Sequence, residues 1–391
     1  MSYYFLDFEI YNIEFYEITS FNNYDIEYIL NNNIHHLYLN INNDYNIPLL
    51  PHSITHLKLG RYFNKLSSHW VDKIQYITHI FFGDYFNKPL DNLPKSITHI
   101  FLGYEFNQSV DFLPENLEYI KFGCTFDKSV NLLPKNLKYI VFGNMFNQPI
   151  NYLPNNIIGI KLFHYFNHPI SNLPDSIKYL QYYLYHANPI FFPINLEQLF
   201  LPNYYNDSID YLPDTITHLH LGNLFNQKIN KLPSNLKYII FSAYYSYDIL
   251  CINLFCKSLE YVELGWKYNT LIENLFVNIT ELVININYSY HFKTLPTKLV
   301  RLSVNLTYNN NLLDILYLTQ LNYLKIDNYG NNRLILNRLP LNLKTLLLKS
   351  NYALCHLELP LELNLLKITK NHQNIFEFYL IKQIEYFEVL L

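Results

Sequence analysis

Leu93-Pro94-Lys95-Ser96-Ile97-Thr98-His99-Ile100-Phe101-Leu102-Gly103-Tyr104-Glu105-Phe106-Asn107 decides the fold, because the chain repeats it. Leu-Pro returns at Leu113-Pro114, Leu133-Pro134, Leu153-Pro154 and Leu173-Pro174 in steps of twenty, and again at Leu212-Pro213 and Leu232-Pro233. Leu50-Pro51 opens the same unit upstream. Phe-Asn keeps a second phase at Phe63-Asn64, Phe86-Asn87, Phe106-Asn107, Phe146-Asn147, Phe166-Asn167 and Phe225-Asn226, with Phe126-Asp127 between. The consensus is Leu-Pro-x-x-Ile-x-x-Ile-x-Leu-Gly-x-x-Phe-Asn-x-x-Ile-x-x. Self-similarity of this density marks a repeat architecture.

Away from the centre the unit survives as a phase. Ile34 begins one upstream copy and Ile13 another. Downstream copies start near Leu259, Ile279, Leu299, Leu321, Leu343, Leu363 and Ile384. Longer steps around Trp70, Phe255, Tyr317 and Arg338 read as loop insertions. The expected organisation is a capping segment or degenerate repeats over 1–30, well-formed repeats over 31–245, and degenerate repeats with a C-terminal cap over 246–391. Together they would make a single continuous solenoid.

Ile-x-x-Ile-x-Leu ends in alternation, which suits a short strand with one buried face. Leu-Pro before it fits a turn, because proline fixes φ and cannot donate into a ladder. This assigns Pro94, Pro114, Pro134, Pro154, Pro174, Pro213 and Pro233 to the turns. The glycine after the strand supplies an unusual backbone angle or a close approach. Helical periodicity is absent. The expected fold class is a β-rich, LRR-like solenoid of tandem repeats of about 20–23 residues, with one short parallel strand per repeat and little helix. Equivalent side chains then stack as ladders, and each buried aliphatic or aromatic group contributes roughly 1.5–3 kcal/mol, largely offset by chain entropy. Asn87, Asn107, Asn147, Asn167 and Asn226 are expected to hydrogen-bond turn backbone from rung to rung.

Composition narrows function. The chain has 391 residues, half of them hydrophobic, with 38 Tyr and 28 Phe but only 9 Gly. The residues in excess favour A/T-rich codons, so base composition competes with selection as the source of the Asn and Tyr. A formal net charge of −4 and a pI near 6.4 disfavour a nucleic-acid partner. No run of about eighteen apolar residues suggests a membrane span. The N-terminus lacks the pattern of a signal peptide, so a cytoplasmic protein is expected. Cys124, Cys251, Cys256 and Cys355 have irregular spacing, which reads as reduced thiols.

Several units carry an almost complete Phe-Asn-x-Pro-Ile core: Phe86-Asn87-Lys88-Pro89-Leu90, Phe146-Asn147-Gln148-Pro149-Ile150 and Phe166-Asn167-His168-Pro169-Ile170. This resembles the FNIP repeat, known from amoebal proteins and from large DNA viruses that infect amoebae. The resemblance implies an LRR-like fold. Some members carry an F-box; here the repeats begin by Ile34 or Ile13 and leave no room for that helical domain.

No phosphate loop, nucleophile elbow or zincin motif is present, so no catalytic residue, cofactor or metal is proposed and the chain is read as a non-enzyme. Attention falls on the strand positions that alternate with the buried ones. His56, His79, His99, Tyr119, Tyr139, Tyr179, His218 and Tyr238 occupy the first such phase. Phe81, Phe101, Lys121, Lys161 and His220 occupy the second. Two readings stand: stacked rings that stabilise the sheet, or an aromatic stripe with interspersed lysine that binds a protein partner. The expected function is a monomeric protein-interaction scaffold that engages a host or cellular protein through its strand face. The alternatives are a self-assembling component of a viral particle and a ubiquitin-ligase recognition subunit without its own F-box.

Overall fold

The computed structural model describes residues 13–20, 23–41, 49–66, 68–183, 191–249, 256–268, 278–285, 295–306, 315–328, 339–350, 359–369 and 386–390. The chain divides into two compact units, Met1–Gln198 and Leu199–Leu391. Each is a parallel β-solenoid with one short strand per rung. In the first unit the strands are β1 (Tyr16–Ile18), β2 (His36–Leu39), β3 (His56–Leu59), β4 (His79–Phe81), β5 (His99–Phe101), β6 (Tyr119–Lys121), β7 (Tyr139–Val141), β8 (Gly159–Leu162) and β9 (Tyr179–Tyr182). Each pairs parallel with the next in sequence, so His56 faces His79, His79 faces His99, and His99 faces Tyr119.

The second unit follows β10 (Gln198–Phe200) with β11 (His218–His220), β12 (Tyr238–Ile240), β13 (Tyr261–Leu264), β14 (Glu281–Ile284), β15 (Arg301–Leu306), β16 (Tyr323–Asn328), β17 (Thr345–Ser350), β18 (Leu365–Thr369) and β19 (Tyr386–Leu390). The pairing is again parallel and sequential from β11 to β19. Among the described residues there are two short helices, α1 (Asn23–Asn31) and α2 (Ser68–Val71). The second fills the insertion around Trp70, whose indole is buried 5.6 Å from the Phe63 ring. The insertions around Phe255 and Arg338 lie outside the described residues.

Three tight turns close a rung, and each explains one part of the repeat. The Pro94 carbonyl accepts the Ile97 N–H at 3.1 Å, the Gly103 carbonyl accepts that of Phe106 at 3.4 Å, and the Leu90 carbonyl accepts that of Leu93 at 3.2 Å. Pro114, Pro134, Pro154, Pro174, Pro213 and Pro233 accept in the same way from the residue three positions on. Between the turns, Ile97, Ile100 and Phe106 are fully buried. Phe86, Phe106, Phe126, Phe146 and Phe166 stack along the axis with centroids 5.9–6.2 Å apart.

The glycines answer to close approach. Among the described residues no glycine has positive φ. A Cβ on Gly103 would lie 2.0 Å from the Gly83 carbonyl oxygen, and one on Gly123 would lie 1.6 Å from that of Gly103.

Asparagine side chains tie the rungs together. The Asn87 backbone N–H donates to Asn64 Oδ1, Asn107 to Asn87, Asp127 to Asn107, Asn147 to Asp127 and Asn167 to Asn147, all at 2.9–3.0 Å. In the second unit Asn226 donates to Asn206 and Ser246 to Asn226. A second ladder lies at the Leu-Pro turns, where Asn116, Asn136 and Asn156 donate Nδ2 to the carbonyls of Lys95, Glu115 and Lys135. Replacing Asn107 with Ala leaves the Asp127 N–H without its acceptor. The expected cost is about 1–2 kcal/mol, read as a lower urea midpoint; an unchanged midpoint would show that water replaces the bond without loss.

Several rungs taper toward the strand face. On the strand face the His56–His79 and His79–His99 rings are 4.0 Å apart and Phe81–Phe101 4.3 Å, against about 6 Å for the core phenylalanines of the same rungs. The second unit shows the same taper, with His218–Tyr238 at 4.3 Å and Phe225–Tyr245 at 6.1 Å. Strands at normal spacing therefore carry side chains that converge on the strand side and diverge on the other.

Candidate functional site: the strand faces

Side-chain packing decides what the outward positions become. In the first unit Phe101, Tyr119 and Val141 form a packed cluster, with Phe81, Tyr139 and Phe163 against it. Tyr119 is 1% exposed and Phe101 7%, and the Lys161 side chain is also buried, its Nζ 5.4 Å from the Phe163 ring centre. These three were expected to project into solvent as contact residues. Packing against neighbouring outward side chains instead buries them in a second apolar layer. His56, His79, Phe81, His99, Lys121, Tyr139 and Tyr179 are half-buried, and Lys58 is exposed.

Within this face the recurring Ile-Thr-His triplet builds a defined hydrogen-bond unit. Thr55, Thr78 and Thr98 place Oγ1 2.8–2.9 Å from Nδ1 of His56, His79 and His99. The Thr78 hydroxyl donates to the Thr55 carbonyl at 3.1 Å and that of Thr98 to the Thr78 carbonyl at 3.2 Å. With those protons committed, the hydroxyl oxygens of Thr78 and Thr98 accept from Nδ1–H of His79 and His99, which assigns the tautomer of these two rings and leaves Nε2 as an acceptor. Thr217 and His218 repeat the contact at 2.8 Å in the second unit. Outward sequence phase locates the histidines, but the threonine partner was not anticipated; the repeated Thr-His dipeptide is the signal that reveals it.

Burial, then the neighbouring imidazoles, lowers the pKa of His56 to about 4 and that of His79 to about 3. Burial lowers His99 as well. The stack is therefore uncharged at neutral pH. Its rings are nearly parallel, 13–15° apart, so the lone pairs point side by side and do not converge. Among the described residues no group of three or more His, Cys, Asp or Glu side chains is placed to hold a metal ion. Cys124 and Cys256 form no disulfide among the described residues, and the Cys256 thiol donates to the Pro233 carbonyl at 3.5 Å; Cys251 and Cys355 lie outside the described residues.

The strand face of the second unit has another character. His218 stacks on Tyr238, and the His220 ring meets Phe200 edge-on at 5.7 Å. Beyond them the same phases carry charge. The Tyr261 hydroxyl donates to Glu263 at 2.9 Å, Arg301 pairs with Glu281 at 3.2 Å, and Lys325 pairs with Asp327 at 2.7 Å.

Parallel one-strand rungs with buried leucine and isoleucine ladders define a leucine-rich-repeat-like solenoid protein. The FNIP Repeat profile matches residues 75–105, 86–125, 126–162, 205–244 and 225–267, so the chain carries FNIP repeats over those stretches. Among solved structures it is similar to CroV588, described as a circular LRR protein, with 26% identity over 85% of this chain and a TM-score of 0.62. The match spans 62% of that protein's length. It is also similar to TLR13, solved in complex with ssRNA13, with 15% identity, a TM-score of 0.57, and coverage of 91% of this chain and 60% of that one. The second likeness is one of fold. No curated protein sequence matches the chain. No described helix is long and apolar enough to cross a membrane.

Proposed function

We propose that this chain is a non-catalytic protein-interaction scaffold and that a protein partner docks on the strand face of the first unit. The supporting observation is the uninterrupted in-register stripe His56–His79–His99, each ring hydrogen-bonded to the preceding threonine, beside the buried Phe101–Tyr119–Val141 layer. A rigid, half-exposed surface with hydrogen-bond acceptors and apolar area loses little entropy on binding. The likeness to LRR folds, which commonly serve as interaction modules, supports the same reading.

A photo-crosslinking amino acid at Tyr139, on the strand face, is compared with one at Tyr152, a side chain 72% exposed outside it. The expected result in amoebal cells is one discrete adduct from position 139 and none from 152. That adduct should weaken at least about tenfold when His79 and His99 are both changed to Ser. Adducts from position 152 alone would move the site off the strand face.

A further inference from the structure

Two strands of the second unit are longer than those of the first. β15 and β16 have six residues each, against three in β4 to β7. The extra length adds a third outward phase. β15 presents Arg301, Ser303 and Asn305, and β16 presents Tyr323, Lys325 and Asp327 in register with them. With β14 alongside, the face measures about 10 Å across the strands and 13 Å along them. Its charges cancel locally. Glu281 pairs with Arg301 at 3.2 Å and Lys325 with Asp327 at 2.7 Å. These four are the charged side chains at the outward phases of β14 to β16.

The Arg301 guanidinium is held from two sides. Nε donates to Glu281 Oε1, and the guanidinium carbon lies 3.9 Å from the centre of the Tyr323 ring. The two terminal nitrogens are left as a positioned fork on a side chain that stays 44% exposed. A relay of amides runs beside it. Asn305 Nδ2 donates to Asn285 Oδ1, and Asn285 Nδ2 donates to Glu263 Oε1. With its nitrogen turned to the relay, Asn305 keeps Oδ1 as an acceptor. Among the described residues nothing engages the Arg301 fork, Asn305 Oδ1 or the Ser303 and Tyr323 hydroxyls. On the far side of Tyr323 the in-register neighbour is Thr345, too short to cover a ring.

These features disfavour most ligands and favour one. A charged ligand drawn to one member of either ion pair is repelled by the other member beside it. An apolar segment would strip water from both pairs and replace none of its hydrogen bonds. A polyhydroxyl chain carries donors and acceptors side by side and replaces water bond for bond. A planar guanidinium fork takes two neighbouring hydroxyls at once. The C–H side of a sugar ring is apolar surface that lies against an aromatic face.

We infer that the strand face over β14 to β16 binds a neutral oligosaccharide laid along β15. Arg301 donates to a hydroxyl pair, the second Glu281 oxygen accepts beside it, and Tyr323 carries one sugar ring. Ser303 and Asn305 meet the following units of the chain. The site shares no residue with the protein-docking face of the first unit, so either can fail without the other.

Isothermal titration calorimetry on the full chain tests it with three neutral hexasaccharides: cellohexaose, maltohexaose and N-acetylchitohexaose. Hexagalacturonate is the acidic control. At least one neutral sugar is expected to bind with an affinity that salt leaves unchanged, and the acid to bind at least about tenfold more weakly. Arg301→Lys keeps the charge but loses the fork, and should weaken binding about tenfold or more. Glu281→Gln separates the ligand classes: it should weaken the neutral sugar, whereas an anion would gain. Ser303→Val removes a hydroxyl at a position where valine suits the strand, and should weaken binding with circular dichroism unchanged. No binding of any neutral sugar at millimolar concentration, full affinity in both Arg301→Lys and Ser303→Val, or a preference for hexagalacturonate that grows in Glu281→Gln would each overturn the inference.

Discussion

Replacing Gly123 with valine is expected to unfold the rungs around it. The wild-type backbones of Gly103 and Gly123 approach so closely that even a methyl group would sit 1.6 Å from the Gly103 carbonyl oxygen. The obstacle is backbone, which cannot swing away as a side chain can. Relief requires separating two rungs, and separation breaks the paired strands, the Phe106–Phe126 contact and the Asn107 acceptor together. The expected cost is at least about 4 kcal/mol. Because each rung depends on its neighbours, the loss should spread outward as early protease cleavage near residue 123. Phe163, Pro202 and Ser242 hold this phase in other rungs, whereas Gly222 and Gly265 meet the same limit, 1.6 Å from the Pro202 and Ser242 carbonyl oxygens. Urea unfolding of Gly123→Val decides the point: a midpoint within about 1 kcal/mol of wild type would mean that the rungs separate freely.

Acid should loosen the first unit well before its carboxylates titrate. An unfolded histidine has a pKa near 6.5, whereas folded His56 and His79 are held at about 4 and about 3. Between these limits the unfolded chain binds protons that the folded chain refuses, so stability falls as pH falls. The contribution is fully present above pH 6.5 and is progressively lost down to the folded values. Half-buried His99, lowered first by burial, acts in the same direction in the first unit, as His220 does in the second. Backbone donation from Ser234 lowers the Asp214 carboxyl, so its window lies below about pH 4 and does not overlap. The expected change is a drop in Tm of roughly 5 °C between pH 7 and pH 5. His79→Gln should flatten that slope, since it removes the most depressed imidazole and one like-charge neighbour of each adjacent ring. Parallel Tm-against-pH lines for the variant and wild type would exclude the stack as the source.

The fold was legible in the sequence because its determinants are local and periodic. Leu-Pro fixes one turn, Gly-x-x-Phe another, and the apolar positions between them state which side is inside. The Asn after Phe could be read as a rung-to-rung acceptor for the same reason. The strand face was only half legible. Alternation tells that Phe101 and Tyr119 point away from the main core, but not that the rungs taper. Taper arises from the difference between ring packing on the strand side and the wider phenylalanine ladder, and no single repeat contains it. The asparagines at 116, 136 and 156 escaped for another reason: in a chain rich in Asn, base composition is a sufficient explanation until the carbonyl partners are seen.

The asparagine ladder also bears on how such a chain can change length. From Asn87 to Asn147 each rung offers one acceptor to the rung after it and takes one from the rung before. A duplicated unit of twenty residues therefore arrives with both halves of its connection and joins its neighbours without a mismatch. A deletion of one whole unit heals in the same way. An insertion of two or three residues at the Phe-Asn turn shifts the acceptor out of reach of the next N–H and strands both. Unequal exchange between near-identical copies is thus the path of least resistance for this architecture, and loop insertions are confined to places such as the one around Trp70, where the ladder is not interrupted.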